Sequence, residues 1–410
     1  MTPASHAIGN NPGRSRSHNR RVVLEAVRLH GPLGRTDIAR IAHLTAQAVS
    51  NIVGELLAEG LLVEDGRRRS GRGQPPIQFA VNPDGGVTLG IEIGAHRLTT
   101  LAVDLAGRLR AQRERSIAAT DPAHVLPLIA GEVAAIRATD SIRRSALLGV
   151  GVVMPGPFGV DGLIPGGPTT LGGWDGLDPA ALIEAALAEA ELGEPVLLGN
   201  DATAAAVGER LHGAARSLRN FCHLYFGQGL GLGIMIDGRP FGGAFGNAGE
   251  IGHVVVEAGG RSCACGNRGC LEQYASLQAL EERLAAAGIA AVDSDAIARL
   301  HREGHPVVTA WIAEAAARLG PQIVTLENLF DPEAIVFGGV LPDGVIAALI
   351  AALEPLPTSV AGRRHRNVPR VIAGTTGRLT AALGAAALPL LETMTPKLDR
   401  TPPPEVTAAG

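Results

Sequence analysis

The sequence lacks long apolar runs. Although 46% of its 410 residues are hydrophobic, no run reaches the roughly 18 to 20 apolar residues that a membrane-spanning helix needs. Residues 1–21 are polar and rich in arginine, and they lack the apolar core of a secretory signal. We therefore expect a cytoplasmic protein without membrane insertion, in which cysteines stay reduced and can bind metal.

Lysine is almost absent, because Lys397 is the only one and arginine carries nearly all the positive charge. The first 80 residues hold eleven arginines against six acidic residues, a net charge of +5. The rest of the chain holds 25 basic and 34 acidic residues, a net charge of −9. This asymmetry predicts that only the first segment meets a polyanion such as DNA. A solvated basic segment is the alternative.

Cysteine is scarce as well, yet three of the four cysteines fall within positions 263–270. With one histidine they give the spacing His-x9-Cys-x-Cys-x4-Cys, which is typical of a closed Cys3His zinc site. The predicted ligands are His253, Cys263, Cys265 and Cys270. A disulfide, or small buried cysteines that merely pack, is the alternative. Because Glu250 and Glu272 flank the cluster, one structural Zn²⁺ would fix two carboxylates in one locality.

Residues 21–80 carry the pattern of a winged helix-turn-helix. A helix is expected over Arg21–Leu29, a second one follows Gly34, and Thr45 caps a third that ends at Gly60. In the third helix the apolar residues recur at helical spacing and form one stripe. They are Val49, Ile52, Val53, Leu56 and Leu57. Two short strands joined by an Arg/Gly turn follow, as in a basic wing.

The exposed face of the third helix carries short polar side chains that can reach base edges, namely Gln47, Ser50 and Asn51. In a helix-turn-helix this helix lies in the major groove, and amides can bond adenine bidentately. Arginines are expected to hold phosphates and to add salt-dependent affinity. The predicted phosphate contacts are Arg35, Arg67, Arg68, Arg69 and Arg72. A three-helix bundle that does not bind nucleic acid is the alternative.

Beyond a linker at Pro83–Gly86, strands and helices alternate in two successive sets, which predicts an α/β body of two lobes with a cleft between them. The expected organisation has five parts. They are a disordered leader (1–18), the winged helix-turn-helix (19–82), a first lobe (87–200), a second lobe with the zinc site (201–392) and a disordered tail (393–410).

Four motifs in this body match one family. They are MPGP at 154–157, GNDATAAAVGE at 199–209, GEIGH at 249–253 and CxCGxxGCLE at 263–272. On these residues, 87–392 resemble the sugar kinase domain of the ROK (repressor, ORF, kinase) family. The resemblance implies an actin-like (ribonuclease H-like) two-lobed fold, and a winged helix is the usual companion in the family's repressor branch.

By the resemblance, Asn200 corresponds to a sugar-binding amide and Asp201 to the catalytic base of active kinases. Glu250 and His253 match the segment that binds sugar and metal, and Glu272 matches a second sugar-contacting carboxylate. Carboxylates suit this role because they accept hydrogen bonds from sugar hydroxyls. On local grounds a helix N-cap would explain Asp201 equally well.

The phosphate side departs from the kinase pattern. Where kinases carry an Asp-x-Gly-x-Thr type turn, this chain has Glu92, Gly94, Ala95 and His96. In the second phosphate loop, usually Gly-Thr-Gly-x-Gly, Gln228 replaces the threonine. We interpret the retained residues as the remnant of an ATP site. They are Glu92, Gly94, Gly227, Gly229 and Gly231, with Gly338 and Gly339 at the adenosine-side turn.

Three functions are compatible with these features. The favoured one is a transcriptional regulator, expected to be a repressor, that binds double-stranded operator DNA and responds to a sugar or sugar phosphate. An active sugar kinase with an accessory DNA-binding domain is the second, and only this one needs Mg-ATP. A metal-stabilised scaffold for a protein partner is the third. A homodimer or homotetramer is expected, since paired half-sites on DNA require paired recognition helices.

Overall fold

The computed structural model describes the helices, strands and connections of most of the chain. The described residues are 12–67, 76–156, 171–174, 176–190, 193, 196–289, 293–362 and 365–394. The chain divides into two compact units, one of residues 1–86 with 389–410 and the other of residues 87–388. Within the described residues, no helix is both long and apolar enough to cross a bilayer.

The first unit contains three helices and a small sheet. Its elements are α1 (Pro12–His30), β1 (Leu33–Gly34), α2 (Arg35–Ala42), α3 (Ala46–Ala58), β2 (Leu62–Arg67) and β3 (Ile77–Val81). Strand β3 lies between β1 and β2 and pairs antiparallel with both. The order of helices and the hairpin β2–β3 give the winged helix-turn-helix that the sequence predicts.

Helix α3 begins and ends where its sequence dictates. The Thr45 side chain accepts a hydrogen bond from the Ala48 amide at 3.2 Å, and Gly60 follows the last turn at a φ of 71°. The apolar stripe is buried at Val49, Ile52, Val53 and Leu56, while Leu57 is half-buried. The turn between β2 and β3 lies outside the described residues, and with it Arg68, Arg69 and Arg72.

Helix α1 differs from its prediction, because it begins at Pro12 inside the segment expected to be a disordered leader (1–18). Proline suits a first helical turn. The added turns also carry Arg16 and Arg20, which form ion pairs with Glu55 of α3 and with Glu59, the residue after its last turn. Residues 1–11 of the predicted leader lie outside the described residues.

The second unit holds two five-stranded sheets and their helices. The strands of the first sheet are β4 (Val87–Ile93), β5 (Arg97–Asp104), β6 (Leu109–Ser116), β7 (Leu147–Met154) and β8 (Val196–Asn200). Those of the second are β9 (Phe221–Phe226), β10 (Leu230–Ile236), β11 (Arg239–Pro240), β12 (Ala334–Gly339) and β13 (Val371–Ala373). The helices of this unit are α4 (Pro122–Arg137), α5 (Pro179–Glu189), α6 (Asp201–His212), α7 (Glu272–Ala275), α8 (Leu277–Ala286), α9 (Ser294–Arg302), α10 (Pro306–Phe330), α11 (Asp343–Ala352) and α12 (Thr380–Met394), the last continuing beyond residue 388.

The first sheet has the order β6-β5-β4-β7-β8. Strand β4 pairs antiparallel with β5 and parallel with β7, and all seven of its residues are buried. A strand covered on both faces reads as a nearly continuous apolar run, as VTLGIEI does. The carboxyl ends of β7 and β8 therefore meet at one edge of this sheet, because the two strands are parallel.

The second sheet has the order β11-β10-β9-β12-β13. The hairpin β9–β10 is antiparallel, whereas β12 pairs parallel with both β9 and β13. The sheet's apolar side chains join those of α8, α10 and α11 in one large core around Trp311. This core supports the hairpin whose turn carries the glycine-rich loop.

Helices α6 and α12 pack between the sheets with very short approaches. A Cβ added at Gly151 of β7 would lie 1.9 Å from the Ala385 carbonyl oxygen of α12. One added at Gly384 would lie 1.8 Å from the Ala204 carbonyl oxygen of α6. Only glycine permits such contact. The alanine- and glycine-rich sequences of both helices thus serve close packing around the cleft.

Several elements were not predicted. Strand β6 is an exposed, arginine-rich edge strand without an apolar alternation, and α11 and β13 are short. A 3-10 turn occupies Gly377–Leu379, and helix α12 runs from Thr380 to Met394. The predicted disordered tail (393–410) therefore begins inside this helix, and residues 395–410 lie outside the described residues.

Candidate functional site

A cleft lies where the ends of β7 and β8 face the hairpin β9–β10. The space between its walls is about 520 Å³, part of which is open to solvent. The lining residues come from both sheets and from the loops that follow them. They are Pro155, Gly156, Asn200, Asp201, Ala202, Tyr225, Gly227, Gly229, Leu230, Gly231, Ala248, Gly249, Glu250, His253 and Glu272.

Asn200 and Asp201 stand at the junction of β8 and α6. The Asn200 side chain accepts a hydrogen bond from the Thr203 amide at 3.0 Å, so Asn200 is the helix N-cap. Asp201 occupies the first helical position, and its Oδ1 accepts from the Ala202 amide at 2.8 Å. The N-cap reading of Asp201 is therefore wrong, because its neighbour performs that role. Its carboxyl group lines the cleft instead.

Burial raises the pKa of Asp201 to about 7. The Ala202 amide opposes this shift, while the carboxyl groups of Glu92 and Glu250 add to it. An aspartate with a pKa this high exchanges its proton near neutral pH. It can accept a hydrogen bond from a ligand hydroxyl or donate one to it.

Glu92 and Tyr225 form a buried hydrogen bond across the two sheets. The Tyr225 hydroxyl of β9 donates to Glu92 Oε1 of β4 at 2.9 Å, and both side chains are almost fully buried. Glu92 Oε2 has no hydrogen-bond partner among the described residues. Burial raises the pKa of Glu92, although Arg97 and the Tyr225 hydroxyl oppose the shift. Burial also raises the pKa of Tyr225, so it remains a donor.

The glycine loop turns between β9 and β10 beside this pair. Gly227, Gly229 and Gly231 line the cleft. Between them, the Gln228 side-chain amide donates to Glu281 Oε2 of α8 at 2.7 Å. Burial raises the pKa of Glu281, and the bond from Gln228 and the charge of His96 oppose the shift.

The other members of the predicted ATP remnant lie apart from this wall. Gly94 forms the tight turn between β4 and β5, with its amide donating to the Arg97 carbonyl at 2.9 Å. Gly338 and Gly339 end β12 and line a second pocket with Asp343 and Gly374. The structure thus separates the glycines into a loop at the main cleft and a turn at another pocket.

Glu250, His253 and Glu272 lie together at the opposite wall of the cleft. His253 Nδ1 lies 3.4 Å from Glu272 Oε1, and His253 Nε2 lies 4.0 Å from Glu250 Oε2. Glu272 is buried at the start of α7, whereas Glu250 is more exposed. The imidazole therefore has a carboxyl group near each of its nitrogens.

The three cysteines of the motif converge on the same histidine. The candidate ligand atoms of His253, Cys263, Cys265 and Cys270 all lie within 4.8 Å of one another. Cys263 Sγ lies 3.6 Å from His253 Nδ1, and Cys265 Sγ lies 3.7 Å from Cys270 Sγ. The fourth cysteine, Cys222, is buried in β9 and does not belong to the cluster. The residues that could hold a metal are therefore those that the spacing predicted.

Local backbone geometry builds this cluster. The Gly266 amide donates to the Cys263 carbonyl at 3.1 Å, and the Cys263 amide donates to the Asn267 carbonyl at 2.9 Å. Gly269 has a φ of 80°, and a Cβ there would lie 1.7 Å from the Glu257 carbonyl oxygen. The motif CxCGxxGC therefore needs glycine immediately before its last cysteine.

The cysteines differ in acidity. Burial raises the pKa of Cys263 and of Cys270. At Cys265 burial is outweighed by hydrogen bonds from the Asn267 amide and from the other two cysteines, which lower its pKa to about 7. Because the thiolate is the form that binds metal, Cys265 is the thiol that ionises most readily in this set.

The predicted DNA contacts lie on the first unit. Gln47 and Asn51 are exposed on α3, and the Gln47 amide donates to Asn51 Oδ1 at 3.1 Å. Ser50 is half-buried. The guanidinium of Arg35 lies 4.5 Å from the centre of the Phe79 ring, so it also packs against β3. Arg67 ends β2.

Tyr225 and Glu281 were not predicted from the sequence as residues of the site. Tyr225 is one of only two tyrosines in the chain, and only Phe226 separates it from the glycine loop. A hydroxyl group near the end of a buried strand was the available signal. Glu281 carries no local signal, because it belongs to a helix with many charged residues and meets Gln228 only in the folded protein.

The two sheets with a carboxylate-lined cleft between them define an actin-like, two-lobed domain joined to a winged helix-turn-helix. The family model described as "ROK family" matches residues 88–391. The match covers well over half of the sequence, and the chain belongs to the ROK family.

Three known proteins resemble this chain. The xylose repressor of Bacillus spizizenii (strain ATCC 23059 / NRRL B-14472 / W23) is 25% identical over 373 residues, which cover 90% of this chain and 94% of the repressor. The crystal structure of a ROK family transcriptional regulator, a homolog of the E. coli MLC protein, has a TM-score of 0.73 at 24% identity and covers 93% of this chain and 97% of its own. A ROK family glucokinase from Streptomyces griseus, solved with glucose and AMPPNP, has a TM-score of 0.60 at 27% identity and covers 74% of this chain and 99% of its own.

Proposed function

We propose that this protein is a sugar-responsive, DNA-binding transcriptional repressor of carbohydrate metabolism genes. One observation carries the proposal: the similarity to the xylose repressor extends over 90% of the chain, and so takes in most of the winged helix-turn-helix. The glucokinase covers only 74%, a share that corresponds to the ROK domain alone.

In this proposal the first unit reads operator DNA. Gln47 and Asn51 contact base edges from α3, and Ser50 supports them at the same end of the helix. The arginines at 35, 67, 68, 69 and 72 contact phosphates. The hydrogen bond between Gln47 and Asn51 supports this reading, since it orients two amides on the exposed face before DNA arrives.

The cleft of the second unit binds the sugar effector in this proposal. Asn200, Asp201, Glu250, His253 and Glu272 supply the polar contacts, because their side chains line one cleft with several acceptors. A sugar that prefers one separation of the two lobes shifts the protein toward that state. In a homodimer, that shift changes the fit to two half-sites about 34 Å apart, or multiples of it.

We further propose that the cluster of His253, Cys263, Cys265 and Cys270 holds structural Zn²⁺. Tetrahedral coordination with Zn–S near 2.3 Å and Zn–N near 2.0–2.1 Å requires separations of about 3.8 Å between two sulfurs and about 3.6 Å between sulfur and nitrogen. The distances of 3.7 Å and 3.6 Å in the cluster fit both requirements. The ion would supply rigidity here, and Glu250 near His253 Nε2 would orient the imidazole.

Kinase activity is the weaker alternative. Asp201 lines the cleft, as the catalytic base of a kinase must. The side chains near it, however, are not those of a phosphate-binding site. Glu92 is bonded to Tyr225, and Gln228 is bonded to Glu281. Phosphoryl transfer depends on groups that position phosphate and Mg²⁺. We therefore propose that Asp201 binds effector and that Mg-ATP is not a cofactor.

The proposal is tested by selecting DNA from a random pool with the full-length protein and measuring operator affinity with and without sugars. We expect a palindromic site bound at least about a thousandfold more tightly than random DNA. We expect at least one sugar to change that affinity by about 5- to 150-fold. A protein that selects no sequence, or whose operator affinity no sugar changes, would contradict the proposed function.

A further inference from the structure

The cleft has hydrogen-bond acceptors in abundance and no permanent cation. Among the described residues that line it, none is lysine or arginine, whereas Asp201, Glu250 and Glu272 contribute carboxyl groups. Ionised carboxylates only accept hydrogen bonds. Such a lining suits a ligand whose polar groups are hydroxyl donors.

The donors beside the glycine loop are already engaged. The Tyr225 hydroxyl donates to Glu92 at 2.9 Å, and the Gln228 amide donates to Glu281 at 2.7 Å. Both bonds end on carboxyl groups. A phosphate group beside the glycine loop would therefore find both of these side-chain donors already bonded to acids.

The other polar side chains of the lining offer few donors for a phosphate group. Asn200 Oδ1 accepts the Thr203 amide as a helix cap. The His253 ring has a carboxyl group near each nitrogen and a cysteine sulfur near Nδ1. Proteins recognise phosphate chiefly with arginine, lysine and clustered amide donors. A sugar phosphate carries two negative charges and several hydrogen-bond acceptors. The polar side chains of the cleft are themselves mainly acidic groups and acceptors, so the two are poorly matched.

We propose that the effector of this cleft is an unphosphorylated sugar, and that the pair Gln228–Glu281 is a specificity determinant that disfavours sugar phosphates. This inference rests on the proposed sugar response and adds the chemical class of the ligand. The hydroxyl groups of a free sugar donate to Asp201, Glu250 and Glu272. Esterifying a hydroxyl with phosphate removes a donor and adds charge where acids already lie.

The experiment compares each free sugar with its own phosphate ester on the full-length protein. D-glucose, N-acetyl-D-glucosamine and D-xylose, with glucose 6-phosphate, N-acetylglucosamine 6-phosphate and xylose 5-phosphate, are titrated by calorimetry at pH 8, where Asp201 is mostly ionised. We expect at least one free sugar to bind, and its phosphate ester to bind at least about 100-fold more weakly, equivalent to about 2.7 kcal/mol.

Two variants test whether the pair Gln228–Glu281 causes the preference for the free sugar. Glu281→Gln removes the acid that holds Gln228, and we expect the ratio of the two dissociation constants to fall about tenfold. Glu282→Gln is the matched control, because Glu282 is the neighbouring exposed residue and is bonded to Gln278 instead. The control is expected to keep the wild-type ratio.

The possible outcomes distinguish a failure of this inference from a failure of the proposed sugar response. If a sugar phosphate binds as tightly as the free sugar or more tightly, the inference is wrong while the sugar response stands. If neither form of any sugar binds, both fail. If Glu281→Gln keeps the wild-type ratio, the pair Gln228–Glu281 is not the determinant.

Discussion

Asp201 offers the sharpest test of the cleft's electrostatics. Replacing it with asparagine retains the shape of the side chain and an oxygen that can accept from the Ala202 amide. The substitution removes only the charge. Because burial raises the pKa of Asp201 to about 7 from an ordinary value of 3.8, the folded protein holds this proton more tightly than the unfolded chain. The consequence is a pH-dependent loss of stability in the wild type.

The sign and the size of this pH dependence follow from the difference between the pKa of Asp201 in the folded protein and in the unfolded chain. Below about pH 4 the group is protonated in both states and contributes nothing. Between about pH 4 and pH 7 the unfolded chain ionises while the folded protein does not, so the free energy of unfolding falls by about 1.4 kcal/mol per pH unit and levels above pH 7. The shift of about three units gives at most about 4 kcal/mol, and less because the carboxyl group lines an open cleft.

Urea unfolding of wild type and Asp201→Asn between pH 4 and pH 8 measures this difference. We expect the two proteins to be equally stable near pH 4 and the variant to be more stable by about 2 to 4 kcal/mol at pH 8. Asp140→Asn serves as the control, since that side chain is 93% exposed. A difference between wild type and Asp201→Asn that does not change with pH would refute the reasoning, because it would place no raised pKa at this residue.

Three further predictions concern other parts of the molecule. Cys265→Ser should lower bound zinc from one ion per chain toward none and destabilise the second unit, whereas Cys222→Ala should keep the ion; metal analysis of both purified variants decides this. Asn51→Ala should weaken operator binding by about 1 to 3 kcal/mol and leave non-specific DNA binding unchanged, measured by fluorescence anisotropy against both DNAs. Gly151→Ala should destabilise the second unit by about 3 kcal/mol or more in urea unfolding, because its Cβ would meet the Ala385 carbonyl at 1.9 Å; a loss below 1 kcal/mol would contradict that packing.

The predictable parts of this molecule are those that local sequence encodes. Helix α3 follows from its cap at Thr45, its apolar stripe and Gly60, and the sequence alone was enough to place each. The cluster of His253 and three cysteines follows from spacing, because three cysteines in one turn-rich segment can reach a common point. The winged helix and the two-lobed body follow from the order of such elements and from the ROK motifs.

The unpredicted parts depend on contacts between distant residues. Helix α1 extends to Pro12 because arginines of its first turns meet glutamates in and directly after the last turn of α3. Edge strand β6 has no apolar alternation, since its exposed arginines bond instead to the buried Glu132 of α4. Tyr225 and Glu281 acquire their roles from partners 133 and 53 residues away in the chain. No local pattern in the sequence predicts such pairs of distant residues.

The cluster of His253 and three cysteines shares His253 with the cleft, and the cleft residue Glu272 lies against it. His253 Nδ1 lies 3.6 Å from Cys263 Sγ, while its Nε2 faces Glu250 across 4.0 Å. An ion held by Nδ1 would therefore fix the ring that lies near the Glu250 carboxyl group, which we propose as an effector ligand. Glu272 is buried beside the same cysteine, so its position too depends on the cluster. Asp201, by contrast, is held by α6 alone. Disordering the cluster would thus disturb one wall of the cleft more than the other, so a metal ion bound there would support the proposed effector site as well as the fold.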